Sequence, residues 1–298
     1  MTQTPRATVT VLGSINMDVV LRVSGLPHAG ETVTAGDVAA HGGGKGANQA
    51  IAAARAGAIV TMIGRVGDDA DGRFLLSHLQ SNGIDCAQVE VDPVLPTGTA
   101  YVAVDDDGEN QIIVAPGANI AAIDRATIHQ GVLLAQLELP LQLVSEFFAK
   151  RSEPSLTILN AAPFKEGAGL VFAAADLVVI NEIELAGYCN AARPSQCPNE
   201  SADLAKSLLM RQQQRILVTR GKRGSVTVGE NESFITEAPL ATAIDSTGAG
   251  DCFCGFLAAQ LSAGQELRAA ISIAHRAAAV AVGRPGASSS MPLISEIL

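Results

Sequence analysis

The sequence predicts an α/β fold: a central, mostly parallel sheet with helices on both faces, plus a small accessory β-sheet. Three observations carry this. Short β-branched runs alternate with helical patterns along most of the 298 residues, the mark of parallel strands joined by crossover helices. The runs end in polar or glycine-rich loops. The interior must be filled by Ala, Val, Ile and Gly, because hydrophobic residues make up 48% of the chain while aromatics supply only 3%. That composition suits closely packed strand–helix layers.

The strand candidates follow in order. Thr8–Leu12 leads into Gly-Ser-Ile-Asn-Met-Asp, and 59–63 into Gly-Arg-Val-Gly-Asp-Asp. Residues 132–136 lead to Leu-Glu-Leu-Pro, 156–159 to Asn-Ala-Ala-Pro, 177–180 to Asn-Glu-Ile-Glu, and 216–219 to Arg-Gly-Lys-Arg-Gly. Ligands of open α/β sheets bind outside the carboxyl ends of the strands, so these loops are expected to converge on one cleft. Segments at about 16–41 and 97–115 break the alternation, reading as strands without helices, with a turn at Asp106-Asp107-Gly108. They are expected to form the accessory sheet, inserted into one domain spanning 1–298. Such a sheet is marginal without a partner, and suits a lid, a dimer surface or both. Residues 191–201 read as an ordinary polar loop.

Composition excludes several classes. A formal charge of −10 argues against a nucleic-acid surface, which needs a basic footprint. With 17% charged residues, the chain is not disordered. Cys86, Cys189, Cys197, Cys252 and Cys254 form no CxxC pair and read as thiols in a reducing compartment. Met-Thr-Gln-Thr-Pro-Arg at the start has no apolar signal core. The alanine-rich run at 277–282 is too short to span a membrane. These readings predict a cytoplasmic protein.

The sharpest motif is Asp245-Ser246-Thr247-Gly248-Ala249-Gly250-Asp251 before the apolar run 252–261. Small residues at a helix start leave backbone N–H groups free at its positive end, which suits phosphate. A carboxylate there, Asp251, suits a proton acceptor facing a hydroxyl, although it could instead cap the helix. The second motif, Gly42-Gly43-Gly44-Lys45-Gly46-Ala47-Asn48-Gln49, lets a backbone lie against a ligand. It is neither a Walker A loop nor a GxGxxG fingerprint. Asn16 and Asp18 are suited to the hydroxyls of a polyol, Asn offering donor and acceptor and Asp accepting only; taken alone, an Asx turn explains them more simply. In Asn181-Glu182-Ile183-Glu184, Glu184 could hold a hydrated magnesium ion through water or simply place negative charge on a helix start. The cationic turn Thr219-Arg220-Gly221-Lys222-Arg223-Gly224 could approach a nucleotide, or be merely solvated.

Together these residues resemble the ribokinase (PfkB-type) family of carbohydrate and nucleoside kinases, from Val9 to about Pro292. One signature matches 43–67 and another 245–255, and Gly-Ser-Ile-Asn-Met-Asp and Gly-Gly-Lys-Gly-Ala-Asn-Gln-Ala strengthen the match. The resemblance implies a ribokinase-like fold with a β-sheet lid. It also implies ATP-dependent phosphorylation of D-ribose at O5 by in-line transfer, with Asp251 as base and Gly248, Ala249 and Gly250 beside it. Asn16, Asp18, Gly44, Lys45, Asn48 and Glu138 would hold the sugar, lined by Met17, Gly46 and Ala47. Asn181, Thr219, Arg220, Gly221, Lys222, Arg223 and Gly224 would hold ATP, with His275 near the adenine. Glu184 would organise Mg²⁺; Asp245, Thr247, Ala281, Arg284, Gly286 and Ser290 would bind K⁺, mostly through backbone oxygens. A homodimer through the lid sheet is implied as well. Ser246 stands where Thr is usual, Cys254 where Asn is often found, and Met17 where Ala is frequent, so Met17 is expected to add bulk near the sugar. The alternatives are a same-fold kinase for deoxyribose, fructose, a keto-deoxy sugar acid or a nucleoside, and a sugar-sensing protein without catalysis.

Overall fold

The computed structural model describes residues 7–121, 123 and 131–297; segment 1–6, read above for a signal, lies outside them. The chain begins β1 (Thr8–Leu12), β2 (Asn16–Arg22), β3 (Asp37–Gly43), α1 (Lys45–Arg55). It continues β4 (Ile59–Gly67), α2 (Ala70–Ser81), β5 (Asp85–Asp92), β6 (Gly98–Val104), β7 (Asn110–Ala115) and a 3₁₀ turn at Gly117–Ile120. Then follow β8 (Val132–Gln136), α3 (Leu141–Ala149), β9 (Leu156–Asn160), α4 (Gly169–Ala174), β10 (Leu177–Asn181), α5 (Glu182–Tyr188) and α6 (Pro198–Ser207). The chain ends with β11 (Arg215–Thr219), β12 (Ser225–Val228), β13 (Ser233–Thr236), α7 (Ala249–Ser262) and α8 (Leu267–Ala281).

Among the described residues the large sheet has nine strands, ordered β13-β12-β11-β10-β9-β8-β1-β4-β5. Its pairs are parallel from β5 to β11, and β12 alone runs opposite, pairing antiparallel with β11 and β13. The chain winds outward from β1 in one direction through β4 and β5, then resumes on its other side at β8. The strand order thus reverses between β1 and β8, and a crevice opens at their carboxyl ends. Strand residues alternate between the two layers: Val132 and Leu134 belong to the core beneath α1, α2, α7 and α8, while Leu133 and Ala135 belong to the core shared with α3–α6.

The expected accessory sheet is present as β3-β2-β6-β7. β2 runs parallel to β6 and antiparallel to β3, and β7 closes antiparallel on β6. The turn at 106–108 joins β6 to β7, with Gly108 at φ 84°. Three strands of the large sheet went unread in the sequence. β5 (Asp-Cys-Ala-Gln-Val-Glu-Val-Asp) and β13 are edge strands whose polar faces break the apolar signal, and β12 is only four residues long. The polar loop at 191–201 is shorter than expected: Pro198 opens α6, and proline at a first helical position is favourable.

Glycine lets α1 into the crevice. A Cβ on Gly46 would lie 2.5 Å from the Gly13 Cα, and one on Gly255 would lie 2.5 Å from the Gln49 carbonyl oxygen. α1 therefore packs against the end of β1 on one side and, through the Ala52 methyl and the backbone at Gln49 and Ala53, against Gly255 of α7 on the other. Gly255→Val should destabilise the fold by about 1–3 kcal/mol or more through overpacking. Urea unfolding checks this; an unchanged midpoint would show that the two helices can part cheaply.

Candidate active site

Two helices start at the crevice, and each start is shaped by a left-handed glycine. Gly44 precedes α1 at φ 86°, and Gly248 precedes α7 at φ 73°; only glycine holds such angles without strain. At the α7 start, the Ala249 N–H is used by the Ser246 carbonyl at 3.2 Å. Gly250 and Asp251 N–H groups meet no hydrogen-bond acceptor among the described residues, and the space off the Gly250 Cα is open. Gly250 and Asp251 thus present their amides to the crevice, and Ala249 does not. Asp251 is buried, and its carboxylate accepts from Asn48 Nδ2 at 3.1 Å and from Gln49 Nε2 at 2.9 Å. The cap alternative is not realised: the carboxylate faces α1 rather than its own helix.

The residues suited to a polyol gather around this carboxylate. Asn16 and Asp18 lie on one face of β2, since they are two residues apart in a strand. Gly43, opposite Asn16 in β3, leaves room for Asp18: a Cβ there would lie 2.5 Å from the Asp18 Oδ1. Glu138, just beyond β8, accepts from the Lys45 backbone N–H at 3.0 Å and from the Ser14 hydroxyl. The Asn48 Oδ1 is buried without a partner among the described residues, an acceptor left for a donor from outside the chain.

Met17 requires a correction. The strand alternation turns it to the opposite face from Asn16 and Asp18, and it lies in the core cluster with Ile51 and Leu75. It does not line the polyol pocket and adds no bulk there. Gly46 and Ala47 are likewise packed inward, Ala47 N–H donating to the Ser14 carbonyl at 3.0 Å, so their part is to seat α1.

Asn119 was not singled out in the sequence. It accepts from Ile15 N–H at 3.0 Å and donates to the Asn16 Oδ1 at 2.8 Å and to the Pro116 carbonyl at 3.0 Å. The Asn16 oxygen is thereby occupied, which leaves its N–H₂ as the group offered to a ligand. A lone Asn far from either motif carries no local pattern that would reveal this; nor does Ser14 in its bond to Glu138.

On the other side of Asp251 an open cleft of about 230 Å³ is lined by Lys45, Asn181, Glu184, Thr219, Gly250 and Cys254, among others. Asn181 and Glu184 form a capping box at the start of α5: the Asn181 side chain accepts from Ile183 and Glu184 N–H, and Glu184 accepts from Asn181 N–H at 3.0 Å. Glu184 therefore fills its helix-start role while also facing the cleft. The cationic turn is not merely solvated. Arg220 is buried and ion-paired with Glu182 at 3.2 Å, and Arg223 pairs with the same carboxylate at 2.5 Å. Gly221 and Gly224 both take positive φ in this turn, and Lys222 is exposed. His275 lies inside, bonded to the Ser225 hydroxyl at 2.8 Å with its ring centroid 4.8 Å from that of Phe253. Burial lowers its pKa to about 4, so it is neutral. Cys254 is a thiol, its pKa raised well above the usual value by burial.

Behind the α7 start, Asp245 joins two loops. Its carboxylate accepts from Thr247 N–H at 2.9 Å and Gly286 N–H at 2.8 Å. Burial alone would raise its pKa, but these hydrogen bonds win and lower it. Residues 281–290 are thus brought against 245–247. The Ala281 carbonyl accepts from Arg284 N–H at 3.0 Å, the Arg284 side chain pairs with Glu296, and Ser290 bonds the Ala287 carbonyl at 2.7 Å.

Charge is concentrated on the polyol side. Burial foremost, then the Glu138 and Asp251 charges, push the Asp18 carboxyl up to about 7, opposed by Lys45. Lys45 is held above its usual range chiefly by Asp251, with burial opposing and Glu138 and Glu184 helping. Burial raises the pKa of Glu184, partly offset by the Asn181 hydrogen bond. Asp18 has a stability consequence. Its folded value lies above the unfolded value near 3.8, so folding favours the protonated form. This contribution is full below pH ~4 and is lost as pH rises through about 7. Relative to Asp18→Asn, the wild-type protein should lose stability on the order of 1–4 kcal/mol between pH 4.5 and 8. Parallel pH dependences of the two unfolding midpoints would contradict this.

The comparisons fit this geometry. The model of the pfkB family carbohydrate kinases matches residues 6–294. A ribokinase of Staphylococcus aureus is 33% identical over 97% of this chain and 98% of its own length. A bifunctional ribokinase/ribose-5-phosphate isomerase A of Fructilactobacillus sanfranciscensis is 35% identical over 97% of this chain, which spans 55% of that protein. Among solved structures, Arabidopsis thaliana ribokinase complexed with ribose and ATP superposes with a TM-score of 0.86 at 26% identity, covering 98% of this chain and 97% of that one. A ribokinase-like α/β architecture, two helix starts flanking a buried aspartate, and this family match agree: the chain belongs to the pfkB family of carbohydrate kinases.

Proposed function

We propose that the protein is an ATP-dependent ribokinase, transferring the γ-phosphoryl group of ATP to O5 of D-ribose. The observation that carries the reading is the placement of Asp251 between the polar side chains of α1 and β2 and the free amides at its own helix start. Asn16 offers N–H₂, Asp18 and the partnerless Asn48 Oδ1 accept, and Lys45 donates; a polyhydroxylated ligand satisfies all four. Asp251 takes the proton of the terminal hydroxyl as its oxygen attacks the γ-phosphorus and the bond to the ADP oxygen breaks. The Gly250 and Asp251 N–H groups at the positive end of α7 meet the charge gathering on the phosphoryl oxygens. Asn181, Thr219 and the 219–224 turn form the nucleotide wall, its arginines fixing the turn through Glu182.

Magnesium and potassium fit the residues present. Among the described residues no group of three or more His, Cys, Asp or Glu side chains could hold a metal. A divalent ion in the cleft would therefore be bound largely by phosphates and water, with Glu184 reaching it through water. It would offset phosphate charge. Potassium suits the oxygen-rich loops 245–247 and 281–290, where Asp245 fixes the spacing. The exposed apolar residues of the accessory sheet, Val38, Tyr101, Ile112, Ile113 and Val114, fit a lid that also pairs two copies of the chain. No helix is long and apolar enough to cross a membrane among the described residues; a cytoplasmic setting fits a kinase that draws on cellular ATP.

An ADP-release assay over ribose, deoxyribose, fructose and nucleosides should give the highest kcat/KM with ribose. Asp251→Asn should lower its kcat ~10²–10⁴-fold while ATP still binds. In the same assay potassium should exceed sodium, and Asp245→Ala should erase the difference. A better substrate than ribose would reassign the sugar, and near-normal turnover of Asp251→Asn would remove the base. Sedimentation should report about twice the 30.5 kDa chain mass, and Ile113→Glu should return it to one chain. A wild-type monomer at micromolar concentration would leave the sheet as a lid alone.

A further inference from the structure

Asp251 is the third residue of α7, where an aspartate ordinarily turns back to accept the unpaired N–H groups of its own first turn. Here something outcompetes them. Oδ1 accepts from Gln49 Nε2 at 2.9 Å, and Oδ2 from Asn48 Nδ2 at 3.1 Å, both on α1. Gln49 is fully buried, and its amide is held by other elements as well. Nε2 also donates to the Asn160 Oδ1 at the end of β9, at 2.9 Å, while Oε1 accepts from Gln136 Nε2 at the end of β8, at 2.7 Å. A flipped amide would set its oxygen against the Asp251 and Asn160 oxygens and its N–H₂ against that of Gln136. Only one orientation satisfies all three neighbours.

We propose that Gln49 is a positioning residue for the phosphoryl-transfer base. With its amide locked by Gln136, it draws the Asp251 carboxylate off the start of α7. The Gly250 and Asp251 N–H groups stay open to the phosphoryl group, and the carboxylate stays turned toward the sugar hydroxyl. Asn48 cannot do this alone, because its unpartnered Oδ1 and its place at the polyol pocket commit it to the sugar. This inference rests on the reading of Asp251 as base. The competing view is that Gln49 only fills a polar gap beneath the crevice.

Steady-state kinetics of Gln49→Met, alone and combined with Asp251→Asn, separate the two. Gln49→Met keeps the volume and removes the hydrogen bonds. It should lower kcat ~10–100-fold, a loss typical of a misplaced reacting group, with KM for ribose and ATP within about three-fold of normal. In the Asp251→Asn background the same change should alter the residual rate less than about two-fold. Unchanged kcat, or an equal loss in both backgrounds, overturns the proposal. Near-normal turnover of Asp251→Asn alone would instead remove the base, and this inference with it.

Should thermal melting show Gln49→Met unfolded, the isosteric Gln49→Glu decides. The carboxyl it introduces would share a proton with Asp251, and the pair would ionise in two steps. While one proton remains, the new carboxyl can donate to Asp251 as the amide did; once it leaves, the support is gone. The variant's kcat should therefore fall on the alkaline side at least about one pH unit below any alkaline loss of the unchanged enzyme. A superimposable pH profile overturns the proposal.

Discussion

The helix Lys45–Arg55 sits closer to its neighbours than side chains would permit, and the site depends on that closeness. Gly13, Gly46 and Gly255 clear the space, so that helix residues from Lys45 to Gln49 enter the crevice between the β1 and β8 ends. From there one helical turn reaches the cleft and the buried aspartate together: Lys45 lines the cleft, while Asn48 and Gln49 grip Asp251. Close-packed interiors transmit such constraints rigidly. On the proposed reading, spreading α1 and α7 would loosen the base and the sugar site together.

Electrostatics supplies the second constraint. Asp18, Glu138 and Asp251 crowd around the single Lys45 ammonium, and their mutual repulsion adds to burial in raising Asp18. Burying such a cluster is costly, and hydroxyl donors from a ligand would offset that cost. The cost is borne at the site, where strained charge is expected. At the far wall a single carboxylate, Glu182, is shared by Arg220 and Arg223, so this turn is fixed in place while keeping a net positive charge.

Much of this was legible in the sequence, and the reasons for the gaps are physical. The buried parallel strands announced themselves because both faces are apolar, and the two glycine-rich helix starts because their chemistry is local. β5, β12 and β13 did not, being short or half-polar edge elements. Met17 was misplaced because a motif read as a string ignores strand alternation, which turns every second side chain away. Asn119 and Gln136 matter only through partners 103 and 87 residues distant, which no spacing rule can supply. Gln49 left a faint trace, a polar residue inside an alanine-rich buried face, but its partner could not be guessed.

The central claim is that α1 holds the Asp251 carboxylate toward the sugar while the start of α7 is kept for the transferring group. A crystal structure with ribose, ADP and an aluminium fluoride mimic of the phosphoryl group measures this directly. The account predicts the fluoride ligands against the Gly250 and Asp251 N–H groups, with Asp251 still bonded to Asn48 and Gln49 and within hydrogen-bond reach of the ribose O5. Asp251 folded back onto its own helix amides, with the mimic bound elsewhere, would contradict it.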